Sequence, residues 1–334
     1  MLICICALML SACQKGVKDT HNHEHENETE VKIHLRVGLS AHEDEAHHIA
    51  AKQFAQQVEQ RSGGTVKATI YGDGQLGTDA ELIDYLAQDA NKVDIVISDV
   101  SNFTKLEPCM DISALPFVFE DYEDAWKFMD GEIQAEAERS LLENNIRVLA
   151  HYTNGLHCLT TTRRVVSEAS DLCNLSIGAN AESYGTIAMR AMEARVSVLE
   201  SNEIMQALQQ GRCDGYMGRL EDIYNGRIYQ KQAHLMMTNH SYEGVAFAIA
   251  DSVWNSLENE EREIIKAAAL DSAYADRQLV QQQTRDMLDK MEAAGVHIHY
   301  PKHSTFLEKV EPVIRGYSSQ YGSLVEKVIL YKKQ

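Results

Sequence analysis

The first half of the chain has alternating hydrophobic and polar positions that predict strands and helices in turn. In residues 32–39 the apolar Ile33 and Leu35 alternate with polar residues, as in a strand with one buried face. Residues 48–61 show the spacing of an amphipathic helix. The same reasoning predicts a strand at 65–71, a helix at 79–88 and a short buried strand at 93–97. This order, β-α-β-α-β, favours a parallel sheet in an α/β fold.

Ligand contacts are expected where the predicted parallel strands end. In open parallel sheets, ligands bind just beyond the carboxyl ends of the strands. Ser40 and His42 follow the first predicted strand, and Asp99 and Ser101 follow the third. We therefore predict that these four residues face a ligand.

The second half of the chain carries longer helical segments. A helix is predicted over residues 122–144, and a strand at 147–152 leads into a second domain. Residues 203–210 form a short amphipathic helix that Gly211 ends, and the turn at 213–215 is expected to leave a buried strand. The prediction ends with helices at 258–275 and 277–294, a strand at 296–300 and a helix at 306–321.

The amino-terminal segment predicts export. Residues 1–12 are mostly apolar but too short to span a bilayer, which takes about 20 residues, so they suit a signal peptide. Residues 10–13, LSAC, have the form of a bacterial lipobox, although no Lys or Arg precedes the apolar run. Cys13 is therefore the predicted lipidation site. It would anchor the exported protein on the periplasmic or outer face of a bacterial membrane.

Residues 13–30 are predicted to form a disordered tether rich in His and Glu. Residues 18–30 contain no apolar side chain, so they cannot contribute to a core. His21, His23 and His25 could hold a divalent metal together with the neighbouring glutamates. Ordering such a tract costs conformational entropy, and a solvated linker is therefore the preferred interpretation.

The composition is that of a soluble globular protein with an acidic surface. Hydrophobic residues make up 44% of the chain and charged residues 24%, as is typical of globular proteins. The formal net charge of -19 argues against a nucleic-acid partner, because no basic face is available to displace counterions from phosphates. A local site for an anion stays possible.

The cysteines and histidines leave two further questions open. Disulfides or free buried thiols are both possible for the four cysteines beyond Cys13, and Cys158 with Cys173 is the pair to test first. The chain has no G-x-S-x-G elbow, phosphate loop or H-E-x-x-H motif, so we expect no enzyme and predict no cofactor or metal. An exported zinc-binding protein remains an alternative because Glu45, His47 and His48 are close in sequence.

Several short segments, in a shared order, resemble the extracytoplasmic solute-binding proteins of TRAP transporters. The central one is residues 203–215, which show the pattern E-x-x-x-A-L-Q-x-G-x-x-D-G. The others are L-R-V-G at 35–38, Q-L-G at 75–77 followed by Glu81, L-P-F-V-F at 115–119 and T-N-H-S-Y at 238–242. No single motif is specific, but their common order extends over residues 31–321.

The resemblance implies an α/β, two-lobed periplasmic-binding-protein-like fold with several interlobe crossings and long C-terminal helices. Lobe 1 is expected in residues 31–153 with 240–300, lobe 2 in 154–239, and helices that brace both lobes in 258–334. It also implies that the lobes close by a hinge over a small-molecule solute. The binding protein, expected to be a monomer, would then deliver the solute to membrane permease subunits.

The sequence differs from this family at positions where family members hold the solute. The family typically has an arginine at the position of Gly178, where it clamps a substrate carboxylate with two charged hydrogen bonds. A second arginine corresponds to His157, and an asparagine corresponds to Gly218. Arg219 or Arg195 could compensate, so the usual carboxylate ligand is in question.

The remaining predicted contacts follow from this departure. Phe117 belongs to the L-P-F-V-F segment, and Tyr184 and Tyr216 could donate hydrogen bonds and offer stacking faces. Asp99 and Glu200 would then be the strongest charges in the cleft. Such a cleft would favour a cation or a neutral polyhydroxy or amide solute over a dicarboxylate. A binding protein that presents its ligand to a receptor is an alternative with the same fold.

Overall fold

The computed structural model describes residues 30–332. The predicted signal peptide of residues 1–12, the lipidation site Cys13 and the tether up to residue 29 lie outside the described residues. Within residues 30–332, no helix has both the length and the apolar character needed to cross a membrane.

The first part of the chain forms the predicted alternation of strands and helices. Its elements are β1 Ile33–Leu39, α1 Ala46–Arg61, β2 Val66–Tyr71, α2 Asp79–Ala87 and β3 Ile95–Asp99. β1 pairs in parallel with both β2 and β3, so the three strands end at the same edge. A capping box of Thr78 and Glu81 begins α2, which fixes the loop before that helix.

The helix predicted over residues 122–144 is wrong. The structure has α3 Tyr122–Met129 and α4 Glu132–Ala137, followed by a 3₁₀ turn at Arg139–Asn144. Gly131 takes an extended conformation between the two helices. The carboxylate of Asp130 accepts hydrogen bonds from both terminal nitrogens of Arg277, at 2.6 and 2.7 Å. This contact with a distant helix favours the interruption over a continuous helix.

One long strand joins the two sheets of the molecule. β4 Ile146–Thr161 contains the strand predicted at 147–152 and continues beyond it. Up to Leu156 it pairs with the antiparallel β9 Tyr242–Ala250, which also pairs with β3. Beyond that point it pairs with β7 Gly215–Arg219 and β8 His234–Met236. A register shift between Thr153 and Gly155 marks the passage from one sheet to the other.

The second sheet continues from β4 through short parallel strands. It contains β5 Ser176–Ala179 between β7 and β6 Arg195–Val198, with β8 and β10 His297–His299 at the other side. Its helices are α5 Tyr184–Ala191, α6 Ser201–Gln209 and α7 Leu220–Asn225. The turn at residues 213–215 leads into β7, whereas the sequence analysis expected it to leave a strand. Below, lobe 1 denotes the sheet β2-β1-β3-β9 with its helices, and lobe 2 the sheet β7-β5-β6 with β8 and β10.

The C-terminal part is helical. α8 Asp251–Ser256 precedes α9 Asn259–Ala293, a single helix of 35 residues where two were predicted. No Gly or Pro interrupts the run at the predicted break, and the Asp276 carboxylate on this continuous helix accepts a hydrogen bond from the backbone N of Thr153. α9 packs against α1 in lobe 1 and against α7 in lobe 2.

The final helix is also placed differently. The segment predicted at 306–321 is divided into α10 His303–Gly316 and α11 Ser318–Tyr321, and α12 Leu324–Tyr331 follows. The sequence analysis missed α12, although Leu324, Val325 and Val328 bury one of its faces. The chain passes between the two sheets along β4, between β8 and β9, and along α9, as the predicted interlobe crossings require.

All four cysteines of the described residues are free thiols. Cys158 is buried in β4, where its Sγ lies 3.6 Å from the Sδ of Met237. Cys173 instead places its Sγ 3.2 Å from the carboxylate of Glu193. The pair singled out for a disulfide test is therefore not bonded in this structure.

Candidate ligand-binding site

A cleft lies between the two lobes and contains two adjoining cavities of about 420 and 210 Å³. Residues from β1, α1 and β3 line the lobe 1 side, and residues from β7 and α7 line the lobe 2 side. The larger cavity also reaches α9. Five residues line both cavities, so these cavities form one continuous site: His42, Glu45, His47, Asn154 and Arg219.

The lobe 1 wall is built from the strand ends that the sequence predicted. Ser40 follows β1 and donates a hydrogen bond to Oδ2 of Asp79, at 3.2 Å. Asp99 is the last residue of β3, and its Oδ1 accepts a hydrogen bond from Nδ2 of Asn154, at 3.0 Å. All of these residues line the smaller cavity. The parallel register of β1 and β3 brings their side chains to one edge.

The carboxylate of Asp99 lacks a close cationic partner. Loss of hydration by burial and the nearby Glu243 raise the pKa of Asp99 to about 6, against weaker opposing effects of His47, Asn154 and Arg219. Burial also opposes ionisation of Glu243, but a hydrogen bond of 2.8 Å to Nε2 of His157 outweighs it and lowers the pKa of Glu243. Asp99 is therefore the less stabilised of these two carboxylates.

The floor of the cleft is the segment of β4 that passes between the lobes. Nε2 of His47 lies 3.1 Å from the carbonyl oxygen of Thr153, and the backbone N of Thr153 donates to Asp276. Burial raises the pKa of Asp276 to about 6, although His47 opposes this shift. Asn154 follows and joins both walls, since its amide nitrogen donates to Asp99 and, at 3.2 Å, to Glu243.

Arg219 is the main cationic group of the lobe 2 wall. It ends β7, and its Nε and Nη2 donate to the two oxygens of Asp222 at 3.1 and 3.0 Å. Nη1 donates to Oδ1 of Asn154, and Nε lies 3.7 Å from Oε2 of Glu243. Burial alone would lower the pKa of Arg219, but the bonded Asp222 and the nearby Glu243 raise it. The guanidinium is charged and already engaged on two of its edges.

Three predicted lobe 2 contacts face α6 instead of lining either cleft cavity. A Cβ atom on Gly178 would lie 3.4 Å from Cδ1 of Ile204 and 3.5 Å from Sγ of Cys213. Tyr216 is buried, and its ring covers Gly218, where an added Cβ would lie 2.5 Å from the Tyr216 hydroxyl. Side chains on a strand alternate between faces, so Gly178, Tyr216 and Gly218 differ from Arg219, which faces the cleft.

Other predicted contacts are held away from the cleft by bonds of their own. Tyr184 donates to Asp111 at 3.1 Å and belongs to a tyrosine cluster with Tyr317 and Tyr321. Glu200 caps α6, and its backbone N donates to the Glu203 carboxylate at 3.2 Å. Neither Tyr184 nor Glu200 lines either cavity of the cleft.

The remaining four predicted residues have mixed positions. Ser101 is exposed in a 3₁₀ turn beyond β3 and lies outside both cavities. Phe117 is fully buried and stacks on Phe306, with 5.0 Å between ring centroids. His157 stands behind the cleft wall, where it bonds Glu243. His42 lines both cavities, and its hydrogen bond with Asp73 raises the pKa of His42.

The cleft also contains residues that the sequence analysis missed. Asn154 and Glu243 connect the two walls, while Asp79, Glu221 and Tyr122 add polar groups to the lining. Asp79 could have been found, since it begins a helix beside the strand ends. Glu243 could not, because its approach to Asp99 depends on the antiparallel pairing of β3 with β9.

The zinc alternative based on Glu45, His47 and His48 finds no support in the geometry. Nδ1 of His48 is buried and lies 3.2 Å from the carbonyl oxygen of Ala41, while His47 faces Thr153. The two rings therefore point at different partners. Across residues 30–332, no group of three or more His, Cys, Asp or Glu side chains is arranged to hold a metal ion.

The chain is similar in sequence to known bacterial proteins. The family model for bacterial extracellular solute-binding proteins, family 7, matches residues 37–320. The chain is 26% identical over 264 residues to the 2,3-diketo-L-gulonate-binding periplasmic protein YiaO of Escherichia coli K12. The matched region covers 79% of this chain and 80% of YiaO.

Solved structures of related proteins share the fold. A TRAP periplasmic solute binding protein from Ochrobactrum anthropi has a TM-score of 0.84 at 22% identity, covering 91% of this chain and 95% of its own. One from Chromohalobacter salexigens with bound D-glucuronate has a TM-score of 0.73 at 22% identity, covering 89% and 99%. These structures confirm the predicted two-lobed α/β fold.

Proposed function

The chain belongs to family 7 of the bacterial extracellular solute-binding proteins, and from this premise we propose that it captures a small polar solute for a TRAP-type transporter. The observation that carries the proposal is the cleft, in which Asp99 of lobe 1 and Arg219 of lobe 2 line the same smaller cavity and Asn154 bonds both. A solute that contacts both walls would favour a closed arrangement of the lobes.

Closure would proceed by a hinge where β4 passes between the sheets. The register shift at Thr153 and Gly155 and the left-handed Gly155, with φ of 120°, mark a segment that can absorb changes in backbone angle. α9 contacts both lobes and would limit how far they separate. We keep the predicted lobe bounds, 31–153 with 240–300 and 154–239, and bracing helices at 258–334, as part of this proposal.

The proposed solute is small and hydroxylated. The combined cavity volume suits a molecule of the size of a sugar acid. One relative is named for 2,3-diketo-L-gulonate, and a protein of the same fold has bound D-glucuronate. Asn154, Asn225 and Ser40 offer neutral polar groups to hydroxyls. Gly178 provides no side chain, so a carboxylate on the solute would depend on the free edges of Arg219.

The proposed function has four further parts. The protein is exported, is anchored by a lipid at Cys13, is a monomer and delivers its solute to permease subunits. The description of the family as extracellular supports export. The predicted lipid anchor would keep the protein close to the membrane subunits, where a high local concentration favours delivery. Mass spectrometry of the mature protein would detect a diacylated amino-terminal Cys13 and its loss in a Cys13→Ala variant.

A thermal-shift screen followed by small-angle X-ray scattering tests solute capture. A bound solute raises the melting temperature in proportion to the logarithm of its concentration over its Kd. We expect one hydroxylated solute class to stabilise the protein and to reduce its radius of gyration. Stabilisation without any change in the radius of gyration would contradict hinge closure, and a screen without a stabilising solute would contradict solute capture itself.

A further inference from the structure

We infer that the captured solute bears a cationic group, such as a protonated amine, which enters the smaller cavity beside Asp79 and Asp99. This inference rests on the proposed function and names the chemistry of the solute. The hydroxylated remainder of the solute would then occupy the larger cavity, which adjoins the smaller one along Asn154 and Arg219.

The charges of the cleft lining carry the first step. Within the described residues, two permanently charged cations line the cavities, Arg219 and Lys290. The carboxylates that line them are more numerous: Asp44, Glu45, Asp79, Asp99, Glu221 and Asp286. Asp44 and Asp286 are exposed, whereas Asp79 and Asp99 are partly buried, so water screens the negative charge least in the smaller cavity. There the excess of carboxylates attracts cations and disfavours a further anion.

Arg219 does not offset this excess for an incoming ligand. Its guanidinium is bonded bidentately to Asp222 and bonded through Nη1 to Asn154, and its Nε lies 3.7 Å from Glu243. A solute carboxylate would have to compete with Asp222 and would approach Glu243. The bidentate clamp that recognises carboxylates is therefore occupied within the protein.

Asp79 and Asp99 lack such a partner. No Arg or Lys nitrogen of the described residues lies at salt-bridge distance from either carboxylate. Asp79 accepts hydrogen bonds from Ser40 and Asn102 through Oδ2, whereas its Oδ1 is buried without a hydrogen-bond partner in the structure. Burial raises the pKa of both carboxyl groups, which reflects the cost of ionising them without a nearby cation.

Closing the lobes would increase this cost unless a cation enters. Removing a charge from water costs free energy, and a partner of opposite charge in the same site offsets that cost. A solute ammonium group has three donors and would bond the oxygens of Asp79 and Asp99 that face the smaller cavity. A carboxylate in the same place would add a like charge.

Matched solutes that share one scaffold provide the test. 1-Amino-1-deoxy-D-sorbitol, D-sorbitol and D-gluconate differ only in the group at C1, and their affinities for the full-length protein are measured by calorimetry at pH 7.5. We expect the aminopolyol to bind at least about ten-fold more tightly than D-sorbitol, and D-gluconate to bind most weakly. Tighter binding of D-gluconate, or equal binding of the amine and the neutral polyol, overturns the inference.

The same trio separates this inference from the proposed function. If D-gluconate binds best, the protein captures a solute as proposed and the inference of a cationic group fails. If none of the three binds, and aminopolyols and sugar acids of other lengths also fail to bind, both proposals fail together.

Single-site variants locate the cationic group. Asp79→Asn and Asp99→Asn should each weaken binding of the amine at least about ten-fold, because each removes one carboxylate and keeps the shape of the side chain. Asp271→Asn is the matched control, since Asp271 is exposed on α9 and pairs with Arg61 outside the cleft. An unchanged amine affinity in both cleft variants overturns the inference, provided that their melting curves show folded protein.

The sign of the pH dependence gives an independent readout. Asp99 faces Glu243 of β9, His47 of α1, Asn154 of β4 and Arg219 of β7. The alkyl ammonium group of 1-amino-1-deoxy-D-sorbitol stays charged from pH 7.5 to 5, whereas Asp99 is protonated near pH 6, so binding of the amine should weaken as the pH falls over this interval. Binding that strengthens over this interval would indicate an anionic solute and would overturn the inference.

Discussion

The residues predicted for the two walls of the cleft have different positions in the structure, although both walls are built on parallel strands. On the lobe 1 wall, Ser40, His42 and Asp99 follow strands and line the cavities. Among the residues predicted for the lobe 2 wall, Gly178 and Tyr216 lie on strands but face α6, whereas Arg219 lines both cavities. The difference shows that a strand end can be located from hydrophobic pattern alone, whereas the face that a side chain occupies depends on register.

This difference has an energetic counterpart. The lobe 1 carboxylates are poorly neutralised, while Arg219 on lobe 2 is held by Asp222 and Asn154. A cleft wall with unsatisfied charge is suited to an incoming ligand, and one with satisfied charge is suited to holding a fixed shape. We therefore expect substitutions on the two walls to have opposite effects on the free energy of unfolding.

The largest effect is expected for Arg219→Ala on the lobe 2 wall. The change leaves Asp222 and Glu243 without the guanidinium that both face, and Asn154 loses a donor. The free energy of unfolding should fall by about 3 kcal/mol in urea denaturation.

Arg190→Ala is the control for that variant. Arg190 pairs with Glu182 at an exposed position of the same lobe, so its loss should cost less than about 1 kcal/mol. Equal losses in the two variants would contradict the fixed role of Arg219.

The next largest effect is expected where the lobe 2 wall lacks side chains. Gly218→Ala would place Cβ 2.5 to 2.8 Å from the Tyr216 ring and hydroxyl, and displacing this buried ring should cost about 2 kcal/mol in chemical denaturation.

Gly178→Ala tests the other side of this prediction. Its Cβ would make ordinary contacts with Ile204 and Cys213 at 3.4 and 3.5 Å, so the stability should change by less than about 1 kcal/mol. A greater loss at Gly178 than at Gly218 would show that the side chains face the other way.

On the lobe 1 wall, Asp99→Asn should stabilise the protein at neutral pH. A carboxyl group with a pKa of about 6 when folded and about 4 when unfolded stabilises the folded state less as the pH rises through that interval. The variant should therefore gain about 1 to 2 kcal/mol at pH 7.5 and nearly nothing at pH 4, as measured by urea denaturation at both values. A variant less stable than the natural protein at pH 7.5 would contradict the unsatisfied charge.

The smallest effect is expected for Tyr184→Phe, outside both walls. Losing the hydroxyl removes a hydrogen bond to Asp111 and should cost about 1 kcal/mol in thermal or chemical unfolding. Solute affinity should stay the same, because Tyr184 lines neither cavity. A clear change in affinity at constant stability would place Tyr184 in the ligand site of the closed state.

The sequence predicted the elements of lobe 1 closely because their hydrophobic periods are local properties of the chain. β1, α1, β2, α2 and β3 each lie within a few residues of the predicted segments. The break expected at residue 276 was wrong, since α9 is continuous there and Asp276 bonds β4 across the molecule. Contacts between residues far apart in sequence are not contained in a local pattern.

The site was predicted less completely for the same reason. Asp99 was predicted from the end of a strand and Arg219 as a substitute for the arginine that the family has at Gly178, and both line the smaller cavity. Asn154 and Glu243 connect the walls only because β4 lies beside β9 and the strands shift register at Thr153. Tyr184 and Glu200 were assigned to the ligand by residue type, and their local partners, Asp111 and Glu203, account for them.

A crystal structure of the protein with its bound solute tests the central claim most directly. The account predicts a solute between the lobes, in contact with Asp99 on one side and with the Arg219 wall on the other, and with the walls closer together than in the present structure. A solute held by one lobe alone, or bound outside the cleft, would contradict it.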